Sequence, residues 1–218
     1  MKSGTSEKRR SAFAPGEIGQ IVLAWVALSI AISYSYAAGG DLAAVVAAFI
    51  ASATGFIFHE MGHKFIAMRL GYVAHFQIWW VGIALTLVTA ILTQGQFIFG
   101  APGAVYIAPA AGVASLGYAI ARQRDEDRDN MLISVAGPGV NLAFAVFFFV
   151  LLLVGPATGF ISTIAAYGFS LNVGLGSFNM LPIPPIDGYK VFKKNILLGL
   201  GIALPLWAMF IYFILGVG

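Results

Sequence analysis

The stretch LAAVVAAFIASATGFIFHEMGHKFIAMR, residues 42–69, decides the fold. From Leu42 to Phe58 it is uncharged and almost wholly apolar, long enough for a helix crossing a hydrocarbon core about 30 Å thick. It then delivers His59, Glu60 and His63 within five residues, before Lys64 and Arg69. A charge near the middle of a span costs about 2.5 to 3.5 kcal/mol even on the mildest scale, so three titratable groups on adjacent turns call for a compensating partner. Bonding between neighbouring helices is one way to satisfy such groups, and a metal ion is the stronger one.

The rest of the chain agrees with a membrane reading. Of 218 residues, 60% are hydrophobic and 10% charged, with a mean hydropathy of +0.90, which leaves too little polar surface to cover a soluble globule. Similar runs occur at Ile21–Ala38, Ile78–Phe99, Met131–Gly155, Phe160–Leu181 and Ile196–Val217. The expected fold is an all-α polytopic membrane protein of five to six transmembrane helices in one membrane-embedded domain, residues 1–218, with residues 1–17 as a cytoplasmic tail. The first run follows Lys8, Arg9 and Arg10 as a signal peptide's would, but its length and the span close behind it mark a retained helix. The net charge of +3 comes with no basic stripe interleaved with aromatics, so it reads as loop bias in a bilayer protein and not as nucleic-acid affinity. There is no cysteine, hence no disulfide framework, and any metal must use His, Asp or Glu.

All twelve basic residues fall into Lys2–Arg10, Lys64 with Arg69, Arg122–Arg128 and Lys190–Lys194. The positive-inside rule assigns every cluster, and with them the N-terminus, to the cytoplasm. That demands an even number of crossings between Arg69 and Arg122, where only Ile78–Phe99 is an unbroken run. Residues 71–130 therefore form an irregular insertion. Either a re-entrant segment dips and returns, or Ala104–Ala121 completes a hairpin; alternation around Ala74–Trp80 and Ala104–Ile107 also fits short strands sheltered by protein.

On a helix, His59 and His63 stack on one face about 6 Å apart, where two imidazoles can clasp one metal, and Glu60 stands about 100° away, where a general base must be to take a proton from water beside that metal. Nine residues separate Glu60 from Arg69, about 14 Å along a helix, so the site lies below the cytoplasmic surface and short of the midplane. Asp187 qualifies as a third ligand at that depth, since it follows a returning span and shortly precedes Lys190. It sits in Asn179-Met-Leu-Pro182-Ile-Pro184-Pro185-Ile-Asp187-Gly188, where prolines break the helix and Gly188 permits an unusual backbone angle. Alone, Asp187 also fits a helix-capping role.

His59-Glu60-Met61-Gly62-His63 together with the Asn-x-x-Pro-x-x-x-x-Asp-Gly pattern from Asn179 to Gly188 resembles the site-2 protease family of intramembrane zinc metalloproteases. Ala136-Gly137-Pro138-Gly139-Val140-Asn141 is similar to a third element of that family. The resemblance covers roughly residues 42–69 and 131–195. It implies one Zn2+ per chain on His59, His63 and Asp187, Glu60 as base, and cleavage of a transmembrane protein substrate at the cytoplasmic side of the bilayer. It also implies that Asn179 and Pro182 shape the substrate cleft and that an asparagine, Asn141 being a candidate, assists the oxyanion; helix-to-helix hydrogen bonding is the alternative for Asn141, Asn172 and Asn179. Two departures stand out: Val81–Phe99 reads as an extra membrane segment relative to compact members, and no PDZ-type module fits within the chain. A zinc transporter or metal sensor, or a silent helix-binding scaffold, would use the same residue types, but the sequence supplies one compact ligand set and an intact Glu60.

Overall fold

The computed structural model describes residues 12–95, 98–109 and 126–215. Helix α1, Glu17–Ala38, turns at Gly39 and Gly40 into α2, Leu42–Ser52, which continues through a π-helical turn, Ala53–Ile57, into α3, Phe58–Arg69. Strand β1, Tyr72–Ile78, helix α4, Trp80–Leu92, and strand β2, Gly103–Pro109, follow. Then come α5, Glu126–Val154, α6, Phe160–Asn179, α7, Asp187–Lys194, and α8, Ile196–Ile214. Among the described residues, α1, the continuous Leu42–Arg69 helix, α5 and α8 are long and apolar enough to cross a membrane. With its 20 residues α6 has the length as well, about 30 Å. Asn172 and Ser177 lower its hydropathy, and both are buried among the other helices. The molecule is an integral membrane protein.

Helix α5 is central, touching α3, α6, α7 and α8, while α1 packs on α2, α4 and β1. Small side chains set the spacing. Ala44, Ala47, Ala48 and Ala51 are sealed on α2, letting neighbouring backbones approach where lipid provides no hydrophobic drive. Trp25 clamps the α1–α2 pair by donating its indole N–H to Phe49 O and Ser52 Oγ, both at 3.1 Å.

The run Ile78–Phe99 is not a crossing. Its helix has 13 residues, about 20 Å, and ends where Gln94 and Gly95 adopt positive φ of 53° and 80°. The chain comes back alongside α4 in extended form. There the Thr86 hydroxyl donates to Phe99 O at 2.6 Å, the Thr89 hydroxyl accepts from Phe99 N at 3.0 Å, and Trp79 N donates to Pro102 O at 3.0 Å. These bonds supply the partners that hydrocarbon cannot. Of the stretch Ala104–Ala121 the described part is strand, as far as Pro109, and 110–121 lie outside the described residues. The ends of α3 and α7 and the start of α5 share one face, where Tyr72 Oη donates to Asp129 Oδ2 at 2.8 Å and Lys193 contacts Asp127 at 3.2 Å.

The strands pair antiparallel, with Phe76 opposite Val105 and Ala74 opposite Ile107. Ala67 of α3, Ala74 and Ile133 of α5 form a buried cluster with Val105 against it, which seats the sheet beside the metal-motif helix. Of residues 12–17, read above as tail, Ala12, Ala14, Pro15 and Gly16 are exposed, while Phe13 lies against the core and Glu17, 1% exposed, opens α1. The far end of the expected insertion is likewise already helical, since α5 begins at Glu126.

Candidate metal centre

His59, Glu60 and His63 lie on α3, all buried. His63 Nε2 is 3.0 Å from His59 Nε2, and Asp187 Oδ2 is 3.1 Å from His63 Nε2 and 3.6 Å from His59 Nε2. The other imidazole nitrogens are committed elsewhere. Asn141 Oδ1 lies 2.6 Å from His59 Nδ1, and its amide nitrogen donates to Gly55 O at 2.9 Å and Asn172 Oδ1 at 3.1 Å. Oδ1 is therefore an acceptor, and His59 must carry its proton on Nδ1. His63 Nδ1 faces the Ile133 carbonyl at 2.7 Å, which also can only accept. Both histidines, when neutral, thus aim bare Nε2 lone pairs at each other and at a carboxylate. In that state three acceptors converge on one point, an arrangement that a cation would stabilise. A tetrahedral ion with ligands at about 2.0 to 2.1 Å would space them about 3.3 Å apart, close to what is observed.

The local sequence explains how each part arrives. The π-helical turn before α3 widens the helix where Gly55 O meets the Asn141 amide. Asn172 continues the chain, donating to Thr54 Oγ1 at 3.0 Å and Gly168 O at 2.8 Å. Pro138 within α5 supplies no N–H to the preceding turn, and one residue before that turn's Ser134 the Ile133 carbonyl serves His63. Gly137 lies flat against the imidazoles: a Cβ there would stand 2.6 Å from His59 Nε2. Gly62 lets α3 lie on α5, since its Cβ would come 3.1 Å from Ala136 O.

Asp187 is the first residue of α7, so its carboxylate reaches the histidines from a helix start without capping it. Gly188 is required for a reason other than the expected one. Its φ is not positive; a Cβ would lie 2.5 Å from Leu181 O and from Met180 C, so only glycine lets the proline turn fold back this closely. Glu60 Oε2 accepts from Val105 N of β2 at 3.0 Å, which places the strand beside the ligand cluster.

The remaining sequence candidates are placed differently. Asn141 is fully buried, with both amide hydrogens engaged, and has none left for a substrate. It orients His59 instead. The Asn179 amide donates back to Leu175 O at 3.0 Å, and Pro182 is exposed in the proline turn; no hydrogen bond joins either to the cluster among the described residues. Asn172 makes the helix-to-helix hydrogen bonds the sequence suggested, to Asn141 and Thr54, while Ile133 and Val105 contribute through backbone groups the sequence did not single out. His75 stands in β1, stacked on Tyr106 at 6.4 Å.

Relatives of this chain are named "Putative zinc metalloprotease". It is 35% identical over 85% of its length to a Methanocaldococcus jannaschii protein named "Putative zinc metalloprotease MJ0611", covering 88% of that protein. It is 33% identical over 80% of its length to the Mycolicibacterium smegmatis "Putative zinc metalloprotease Rip2", covering 64% of it. A 73-residue stretch is 37% identical to the Bacillus subtilis "Putative zinc metalloprotease YwhC", covering 29% of this chain and 33% of that one. No family model and no solved structure matches the chain. Fold, site and relatives together define a membrane-bound zinc metalloprotease. The chain belongs to the site-2 protease family.

Proposed function

We propose that this chain is an intramembrane endopeptidase in which His59, His63 and Asp187 hold one zinc ion, Glu60 is the general base, and the substrate is a transmembrane segment of another protein. The observation that carries the reading is the convergence of one ligand atom each from His59, His63 and Asp187 within 4.8 Å, with both histidines and Glu60 on a helix long and apolar enough to cross a membrane. When bound, zinc supplies a Lewis acid that acidifies water and polarises a carbonyl. Asn141 and the Ile133 carbonyl hold the imidazoles in the tautomer that leaves Nε2 available. Glu60 takes the proton of the attacking water and returns it to the departing amine. A helical substrate hides its peptide bonds, so it must unwind, and the edge of β2 beside Glu60, which pairs with no other strand among the described residues, offers main-chain partners to the extended form. Helix-breaking residues should therefore favour cleavage. Basic clusters at the shared face support a cytoplasmic orientation for the site.

The test is zinc analysis of the detergent-purified protein combined with cleavage of a single-span model substrate carrying a Gly-Pro break. Glu60→Gln should keep zinc and lose cleavage; full activity in that variant would sink the mechanism. A transport role would need further ligands along a path, and one group of three is found among the described residues. Metal flux into proteoliposomes without proteolysis would reverse the ranking.

A further inference from the structure

The two edges of the β1–β2 sheet are closed by different carboxylates. On β1, Phe76 N donates to Glu17 Oε1 at 2.8 Å, Ile78 N donates to Gln20 Oε1 at 3.0 Å, and Ala74 O accepts from Lys64 Nζ at 2.9 Å. Those groups point away from β2, so the opposed pairs Ala74–Ile107, Phe76–Val105 and Ile78–Gly103 are of the kind that exchange no hydrogen bonds with each other. By the same geometry Gly103, Val105 and Ile107 turn their N–H and C=O groups to the far edge of β2. Val105 N is the one that meets Glu60.

The two carboxylates differ in how firmly they are held. Glu17 accepts from Lys64, from Phe76 N and from Ala14 N, and is ion-paired to Lys64 with both partners buried. Removing it would strand a buried cation, so that edge is permanent. The hydrogen bond described for Glu60 comes from Val105 N, a neutral donor on a strand whose far edge pairs with no other strand among the described residues. An edge strand of this kind is a template for pairing with another extended chain.

We propose that the Glu60–Val105 hydrogen bond is an exchangeable latch. In the substrate-free protein the strand amide occupies the base; an extended substrate adding to β2 places its own carbonyl on Val105 N–H, and Glu60 is released to the water. A helical segment has its carbonyls bonded internally and cannot make the exchange. The latch therefore couples recognition of unwound substrate to release of the base, and it fixes the register of the substrate along β2. The proposal rests on Glu60 being the general base and on substrate pairing with β2.

Two measurements on the full chain in nanodiscs test it, with the Gly-Pro single-span peptide as probe. The first is amide hydrogen exchange at Val105. Exchange should be slow in the free wild-type protein, at least about tenfold faster in Glu60→Ala, and slow again when the peptide is added to that variant. Continued protection in Glu60→Ala without peptide, or failure of the peptide to restore it, overturns the latch. The second replaces Val105 by its α-hydroxy acid, which removes the N–H and keeps the side chain and backbone path; Val105→Pro serves as a second route. KM should rise about tenfold, the worth of one well-placed hydrogen bond, with kcat unchanged or higher. A fall in kcat at constant KM, or no change in either, overturns it. Full cleavage by Glu60→Gln would instead defeat the assignment of the base, and the exchange measurement remains readable in that event.

Discussion

His59 Nε2 and His63 Nε2 face each other at 3.0 Å, and with both rings neutral neither can donate to the other, because Asn141 and the Ile133 carbonyl hold the ring protons on Nδ1. Asp187 Oδ2 adds a third acceptor to the same point. A proton can bridge one pair of these atoms, whereas a divalent ion satisfies all three. The arrangement is tuned to metal by the groups behind the ligands as much as by the ligands themselves.

Protons and metal therefore compete for the same lone pairs. Zinc should be held stoichiometrically at pH 7.5 and released progressively as the pH falls towards 5, since each ligand must shed its proton to bind. Metal content after equilibration across that range checks this; constant occupancy down to pH 5 would contradict it.

Asn141→Ala removes the acceptor that fixes the His59 tautomer and leaves Gly55 O and Asn172 Oδ1 without the donor they share. Zinc affinity should weaken about 10- to 100-fold, with about 1 to 3 kcal/mol of lost stability from the orphaned groups. Asn141→Asp retains the acceptor for His59 but turns a carboxylate on two other acceptors, and should not rescue binding. Chelator competition reads the first effect and denaturation in micelles the second.

Two glycines should respond in graded fashion. In Gly137→Ala the new methyl meets the His59 ring at 2.6 Å, so metal binding should be lost; in Gly62→Ala it meets the Ala136 carbonyl at 3.1 Å, and α3 need shift only a few tenths of an ångström. Gly62→Ala should therefore keep zinc with lowered stability, about 1 to 3 kcal/mol. Equal zinc content in both variants would count against the close contact at Gly137.

Lys64→Met leaves Glu17 buried without its cation and should cost about 3 to 5 kcal/mol. Glu17→Gln combined with Lys64→Met removes both charges and keeps an acceptor for Phe76 N, so the double variant should recover most of that loss. Additive destabilisation in the cycle would show that the pair is not coupled.

Much of this was legible in residue order. Unbroken apolar runs give the helices because a bilayer forbids unsatisfied backbone, and the His-Glu-x-x-His spacing puts both imidazoles on one face at any depth. Run length misleads at Ile78–Phe99, where the chain is apolar throughout but Gln94 and Gly95 turn it back and Thr86 and Thr89 hold the return. Hydropathy is blind to hydroxyls that bond locally. The role of Asn141 was hidden for a different reason: which way a polar side chain faces depends on the rotation of α5 against α3, which glycine contacts at Gly62 and Gly137 set and no single-chain pattern reports. Val105 is harder still, since its contribution is a backbone N–H and any residue but proline would supply one.

The π-helical turn at Ala53–Ile57 carries an implication for how this chain can vary. It holds one residue more than an α-helical turn would need, and the wider turn absorbs that residue without turning α3 far from the phase a plain α-helix would give it. Losing the extra residue would therefore leave His59 and His63 near their present bearing, but it would close the turn at which Gly55 O meets the Asn141 amide, the group that fixes the His59 ring. A single-residue deletion between Ser52 and Phe58 would thus disturb the support of the centre and spare the residues that compose it.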